Sequence, residues 1–400
     1  MNKELVDLVS WIDNNGLKGW DPYDIRGSKI SLKIQKLPYG IFGKLIRKLF
    51  NISIAFLPNL SRKILNIKPL ENAKGIGLIL TSYSILYRKT NEDIYLQKAL
   101  ECANKLEKNK GTVYSGYNWG YPFDWQSAIF IPKGTPSSVV TYTVGNGFYE
   151  LYKVTGDKKY LDICKEICNF FVNELNITFE SNNALCYSYT PIDDYQVHNA
   201  NLFVGAFLVK IGKEVENREW VDKGIKCANF AIQEQQEDGY LPYWGLSQTE
   251  DYSNGIIKVD HYHSGFEIRM LFSIWNDTQD EKIKTSWKRY FKWYKKEMFT
   301  SDGIPKLTPT NFYPVNIHSI AESMICLGTL NQYFKSLDSD IKIIEKYTTK
   351  KMQYKTGEYC YMIIKLPFVG EYKIKIPMLR WGQAWMLYAY SINLKDKNEK

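Results

Sequence analysis

Six stretches of this chain, about 60 residues apart, each open on polar or charged side chains and run straight into an almost wholly apolar helix. The openings lie near Asn72 and Lys74, Thr135 to Ser138, His198 to Asn201, Asp260 to Arg269, Asn316 to Glu322, and Arg380 to Gln383. A segment such as Leu202 to Val209 is apolar around its whole circumference, so it needs cover on every side. Between these segments lie helices with ordinary amphipathic spacing. They start at Thr90-Asn-Glu-Asp, Thr155-Gly-Asp, Glu216-Asn-Arg-Glu, Thr278-Gln-Asp-Glu and Leu337-Asp-Ser-Asp, where Thr, Asp and Asn suit free backbone N–H groups and acids suit the positive helix end. A repeat of this length buries its apolar face only by stacking on its neighbours. Six buried–exposed helix pairs closed on themselves predict an all-α fold, an (α/α)6 toroid, spanning residues 71–392.

Outside that span, residues 1–70 read as a basic N-terminal extension packed on or near the toroid, and 393–400 as a disordered charged tail. Tyr359 to Ile376 alternates and carries Gly370, which predicts a β-hairpin at the rim of the central funnel. Similar short hairpins are expected after Asp238-Gly-Tyr-Leu-Pro and Asp302-Gly-Ile-Pro. With 400 residues, 44% of them hydrophobic, the chain can bury a large core, and one period favours a single closed domain over two or three.

The start, Met-Asn-Lys-Glu-Leu-Val-Asp-Leu, mixes charges and has no apolar core, so no secretory leader is expected. No run approaches the roughly 18 apolar residues that cross a bilayer. Seven cysteines, an odd number scattered over helical positions, read as reduced core residues of a cytoplasmic protein. Cys164 and Cys168 share a helix face, but no second Cys/His pair accompanies them, which favours packing over metal.

The net charge of +9 is local. Ile25 to Leu70 holds ten Lys or Arg and no acid, including the basic amphipathic run Gly40-Ile-Phe-Gly-Lys-Leu-Ile-Arg-Lys-Leu-Phe. Such a segment either docks an extra helix on the ring through a solvated basic face, or contacts the inner membrane face peripherally through residues 25–70. No recognised nucleic-acid motif accompanies the charge, so no nucleic-acid partner is expected.

All four histidines, His198, His261, His263 and His318, fall at the helix openings. Histidine exchanges protons near neutral pH, and helix N-termini that meet at one end of a ring favour anionic groups. His263 and Glu267 are four apart and share a helix face, as are His318 and Glu322, so each carboxylate is placed to orient an imidazole. Arg380, Lys74, Asn199 and Asn201 form a candidate clamp for an acidic sugar, with His198 and Trp381 beside them. Asp260-His-x-His is a partial metal ligand set without a recognised metalloenzyme spacing, and neither a metal nor any other cofactor is expected. The loop Tyr117-Asn-Trp-Gly-Tyr-Pro-Phe-Asp-Trp-Gln offers Trp119 and Trp125 as stacking surfaces and Asp124 for a sugar hydroxyl or as an acid. Tyr142, one to two turns inside the second inner helix, is placed to point into the funnel, and Trp20-Asp-Pro-Tyr-Asp to fold over its mouth.

The Thr-Gly-Asp-x-x-Tyr-Leu helix start at Thr155, the period and the Arg380-Trp-x-x-Ala-Trp ending resemble (α/α)6-toroid carbohydrate enzymes: N-acylglucosamine 2-epimerases, unsaturated glucuronyl hydrolases, and the toroids of heparinase-type lyases and glucuronyl C5-epimerases. The loop Tyr117 to Trp125, Val197-His-Asn-Ala-Asn and Asp260-His-Tyr-His-Ser-Gly-Phe resemble bacterial proteins from surface-polysaccharide gene clusters. The resemblance implies an enzyme acting on an acidic oligo- or polysaccharide, by elimination or epimerisation. In that scheme His263 is the base with Glu267 behind it, His318 or Tyr262 the acid, His261 and Asp260 part of the same cluster, and Asn199 with Arg380 steadies the enolate-like charge. A glycoside hydrolase using Asp124 and Asp260, and a glycan-binding scaffold without catalysis, are the other readings.

Overall fold

In the computed structural model, which describes residues 2–38, 40–253 and 258–396, the polar openings are helix caps. The side chains of Asn72, Ser137, Asp260 and Asn316 accept hydrogen bonds from the backbone N–H groups of Lys74, Val140, His263 and His318. The chain begins with α1 (Lys3–Asn15), α2 (Lys29–Gln35), α3 (Ile41–Phe56) and α4 (Pro58–Ile64). Pairs follow: α5 (Ala73–Thr90) with α6 (Asp93–Lys108), α7 (Ser138–Thr155) with α8 (Lys158–Glu174), and α9 (His198–Glu214) with α10 (Arg218–Glu234). The short α11 (Thr249–Ser253) precedes α12 (His261–Thr278) and α13 (Glu281–Glu297), then come α14 (Ile317–Phe334), α15 (Asp338–Lys351) and α16 (Ala384–Asn393).

The six apolar helices α5, α7, α9, α12, α14 and α16 each pack on the next, and α16 packs back on α5, so the inner ring closes. Outside it sit α6, α8, α10, α13 and α15, each against its inner partner. Small residues set the spacing where α9 meets α10: a Cβ added at Gly224 would lie 2.5 Å from the Gly205 carbonyl oxygen, so no larger residue fits without moving the helices.

The sixth outer place belongs to α1. It buries Leu5, Leu8, Val9 and Ile12, packs on α16, and is tied to α15 through Asn2–Glu345 and to α6 through Asp13–Lys98. Within the N-terminal extension expected over residues 1–70, it is α1 that packs on the ring. The physical reason is the apolar stripe of α1, which has the spacing of an outer helix and finds the one uncovered stretch of the inner ring. At the other end, the Asn393 side chain donates to the Met324 and Ala389 carbonyls at 3.0 and 2.8 Å, so that residue belongs to the last helix and not to a loose tail. Residues 397–400 lie outside the described residues.

The expected rim hairpin forms from Met362–Leu366 and Gly370–Ile374, with Val315–Asn316 pairing alongside as a third strand. After Asp238 and Asp302 the chain makes turns with Gly239 and Gly303 at positive φ, and only an isolated bridge, Phe299 with Pro305, stands where a second hairpin was expected. The seven cysteines are buried and unpaired. Among the described residues, no helix is long and apolar enough to cross a membrane.

Candidate active site

Because every inner helix starts at the same end of the ring, their first turns share one hollow. Lys74 of α5, Val139 of α7, Asn199 of α9, Tyr262 and His263 of α12, His318 of α14, and Arg380 and Trp381 of the π-turn Leu379–Gln383 before α16 line a cavity of about 80 Å³. Tyr23, Tyr121, Trp125, Tyr189 and Tyr243 complete its wall.

The best-organised pair is Asp260 with His263. The Asp260 Oδ1 caps the helix by accepting from the His263 backbone N–H at 3.0 Å, and its Oδ2 accepts from the His263 Nδ1 at 2.6 Å. A carboxylate can only accept, so the ring proton sits on Nδ1 and the Nε2 lone pair is left for a ligand. The His263 and Asp260 side chains are 20% and 25% exposed, enough to be reached. Tyr262 lies between the two imidazoles, with ring centroids 4.3 Å from His263 and 4.7 Å from His318.

His318 is buried beside the Trp381 backbone and, among the described residues, neither ring nitrogen makes a well-formed hydrogen bond; the Oδ1 of buried Asn199 is likewise unpartnered among them. Buried polar atoms are normally satisfied, so two such side chains on one cavity wall mark a place for a polar ligand. Burial, with the positive charge of Lys74 and Arg380 nearby, pushes the His318 imidazole well below the ordinary histidine range, which keeps it neutral. Lys74 is also buried, its Nζ 5.6 Å from the Trp385 ring centroid and 5.9 Å from that of Phe266. Burial first, and then Arg380, lowers its pKa to about 7.

That shift has a sign that can be checked. Below pH 7 the lysine is charged both folded and unfolded, and the fold carries the full desolvation cost; between about 7 and the ordinary 10.5 the unfolded chain binds more protons, so stability rises with pH. Lys74→Met should therefore be more stable than the native protein below pH 7, with the advantage shrinking toward pH 10.5. Urea unfolding across that range measures it, and a difference that stays constant with pH would contradict a lysine that titrates near neutrality.

Several residues singled out from the sequence lie elsewhere. His261 faces outward, its Nδ1 donating to the Met298 carbonyl at 3.1 Å and its Nε2 accepting from the Tyr294 hydroxyl at 2.6 Å; burial lowers its pKa to about 3. His261 and His263 thus point apart and cannot share a metal ion. His198 is held between the Pro242 carbonyl and Glu234, at 2.7 and 2.8 Å. Glu267 does not back His263: it accepts from the Tyr290 hydroxyl at 2.5 Å, because an N-cap aspartate reaches the first-turn imidazole before a residue one turn deeper can. Glu322 does not pair with His318 either. It binds Arg269 in two contacts of 2.6 and 3.1 Å, a buried pair joining α14 to α12. Tyr142 stacks on Phe203 at 4.4 Å without lining the cavity. Asn201 bonds the backbone of Tyr187 and Leu185, and the Trp119 indole donates to the Leu106 carbonyl, so both are structural. Asp124 accepts from the Lys133 N–H at 2.9 Å in its own loop, while Trp125 next to it reaches the cavity.

Arg380 is at the site but already occupied. Its Nε and Nη2 bond both oxygens of Asp21 at 2.5 and 2.7 Å, and Asp24 pairs with Arg62 at 2.8 Å, so two buried ion pairs hold the turn that carries Tyr23 into the wall. A larger hollow of about 1080 Å³ opens on the flank, where Asp260 meets Tyr240, Arg289 and Trp293; it does not reach the unpartnered groups.

No protein-family model matches the chain, and no curated protein matches its sequence. Solved structures do match. The cellobiose 2-epimerase from Bacillus thermoamylovorans has a TM-score of 0.60 at 14% identity, over 81% of this chain and 88% of that one. A family 88 glycosyl hydrolase from Bacteroides vulgatus has a TM-score of 0.56 at 11% identity, over 86% and 97%. The fold is that of the (α/α)6-toroid carbohydrate-active enzymes. The Lin0763 protein from Listeria innocua, with a TM-score of 0.62 at 13% identity, covers 98% of this toroid chain and 97% of its own, so its likeness extends through the first 70 residues as well. At these identities the likeness concerns the fold, and the chemistry rests on the cavity. Tyr23 and Tyr121 lie in the two segments expected at the funnel mouth, Trp20-Asp-Pro-Tyr-Asp and the loop from Tyr117; Tyr189 and Tyr243 were not singled out in the sequence, where the signal was the unusual number of tyrosines, 30 in all.

Proposed function

We propose that the protein is a carbohydrate-active enzyme that moves a proton at a sugar carbon, as in epimerisation or elimination. The observation that carries this reading is the pairing, in one cavity, of an aspartate-oriented His263 with a neutral His318 whose nitrogens make no well-formed hydrogen bond among the described residues. His263 Nε2 takes a proton from a carbon next to a carbonyl or carboxylate, and the C–H electrons move onto the oxygen as an enolate. His318, across Tyr262, stays neutral and donates a hydrogen bond from its ring N–H to the enolate oxygen, while the protonated His263 passes its new proton to the leaving oxygen in elimination or back to the opposite face of the carbon, once the sugar has turned, in epimerisation. Lys74 and Asn199 face the developing negative charge, the part first assigned to Arg380, whose donors are committed to Asp21. An acidic glycan of the bacterial surface, of the O-antigen or capsule kind, is the substrate class that this cationic pocket and the resemblance of its loops suggest. Ligand pockets usually enclose roughly 300–1,000 Å³, so a sugar enters only when aromatic wall residues such as Tyr23 or Trp125 move aside. Hydrolysis through Asp124 and Asp260 has less support, since the two do not line the same cavity.

Incubation in deuterium oxide with a panel of N-acylglucosamine, cellobiose and uronate-containing oligosaccharides separates the readings. Deuterium at a sugar carbon, or a new ultraviolet-absorbing double bond, is the expected result. New reducing ends with neither signal would replace it with hydrolysis, and binding without any product would leave a scaffold.

A further inference from the structure

Helix α3 turns its apolar side outward. Ile41, Phe42, Leu45, Leu49 and Ile52 are 90, 75, 51, 56 and 43% exposed, and the spacing from Phe42 to Ile52 keeps them on one helical stripe. The opposite side packs inward through Gly43 and half-buried Phe50 and Ile54. Exposed Lys44 and Lys48 run along one edge of the stripe. Leu57, Leu60 and Ile64 extend the apolar surface onto α4 at 53, 50 and 72% exposure. The end of α3 meets the rim hairpin where Phe56 and Tyr372 approach to 5.9 Å, and two residue pairs beyond Tyr372 the hairpin tip carries Phe368 and Val369, both fully or mostly exposed. A soluble surface seldom leaves so many contiguous large apolar side chains bare.

We infer that this face docks on an anionic lipid bilayer, with α3 lying in the headgroup region, its stripe among the acyl chains and its lysines on the phosphates. Charge decides between occupants. Of the ten basic residues between Ile25 and Leu70, Arg62 is buried against Asp24 and Arg47 is half-buried, but the other eight are exposed and the segment has no acid, so a second copy of the same face would meet like charge with like, whereas an anionic leaflet complements it. At 16 residues α3 lies on a membrane and does not span it. This inference stands independently of the reaction in the cavity.

Co-sedimentation of the full chain with vesicles of equal parts phosphatidylglycerol and phosphatidylcholine tests it. Binding should be at least about tenfold stronger than to pure phosphatidylcholine and should fall at about 0.5 M salt. Phe42→Ser/Leu45→Ser/Leu49→Ser should weaken it about tenfold or more at an unchanged melting temperature, and Lys44→Glu/Lys48→Glu should flatten the salt dependence. Should the triple variant fold poorly, Phe368→Ser/Val369→Ser at the hairpin tip provides the second reading, with a smaller but clear loss. No binding to the anionic vesicles at low salt, or equal binding by the variants, would overturn the inference, as would a native dimer that the triple variant converts to monomers without any effect of lipid.

Discussion

On the proposed mechanism, His263→Ala should lower turnover by about 10²- to 10⁴-fold, the usual contribution of one positioned acid or base, and leave the affinity for substrate within a few fold. Asp260→Asn keeps the helix cap only with its oxygen on the His263 N–H, which turns its NH2 toward Nδ1 and favours the opposite ring tautomer, so it should lose activity to a lesser degree. Glu267→Gln is the control that separates this arrangement from the pairing with His263: its partner is Tyr290, whose hydroxyl the amide oxygen can still accept, so turnover per folded molecule should stay nearly native. Rates in deuterium oxide and melting temperatures for the three variants make the comparison. Equal loss from the Glu267 and Asp260 variants would mean that the dyad is wrongly assigned.

The second large effect is on stability. Arg380→Met strips Asp21 of its bidentate partner while leaving the carboxylate 4% exposed, a change that costs about 3–5 kcal/mol when a buried pair loses one member. Pairing it with Asp21→Leu should restore much of the loss, because two apolar side chains do not need each other's charge. Denaturant unfolding of the single and double variants measures the difference. If the double variant were no more stable than the single one, the penalty would come from lost packing around Tyr23 and Trp381, and the buried charge would not be its source.

The toroid was readable from sequence because burial is written locally: a helix such as Leu202 to Val209 has no polar side to show to water, and its recurrence implies a ring. Five openings were legible as well, in that Lys74, Asn199, Tyr262, His263, His318 and Trp381 do meet in one hollow. Direction was harder. His261 and His263 are two residues apart on a helix, so about 200° separates them, and only one can look inward. Glu267 and Glu322 obey the same-face rule relative to their histidines, yet each found a stronger partner on another helix, Tyr290 and Arg269 respectively. The Asp21–Arg380 contact spans 359 positions and leaves no local trace at all. The role of α1 escaped for a similar reason, since its stripe is unremarkable until the rest of the ring exists.

That placement of α1 has a bearing on how the protein is made. The seam of the ring lies between α16 and α5, and α1, which precedes the ring in the sequence, packs on α16 from outside. During synthesis the apolar flank of α5 and the stripe of α1 must wait, without their eventual neighbour, until Ala384–Asn393 has emerged. Closure is thus a long-range event, and until it happens these two apolar surfaces stay uncovered, which makes it a step that a chaperone can protect.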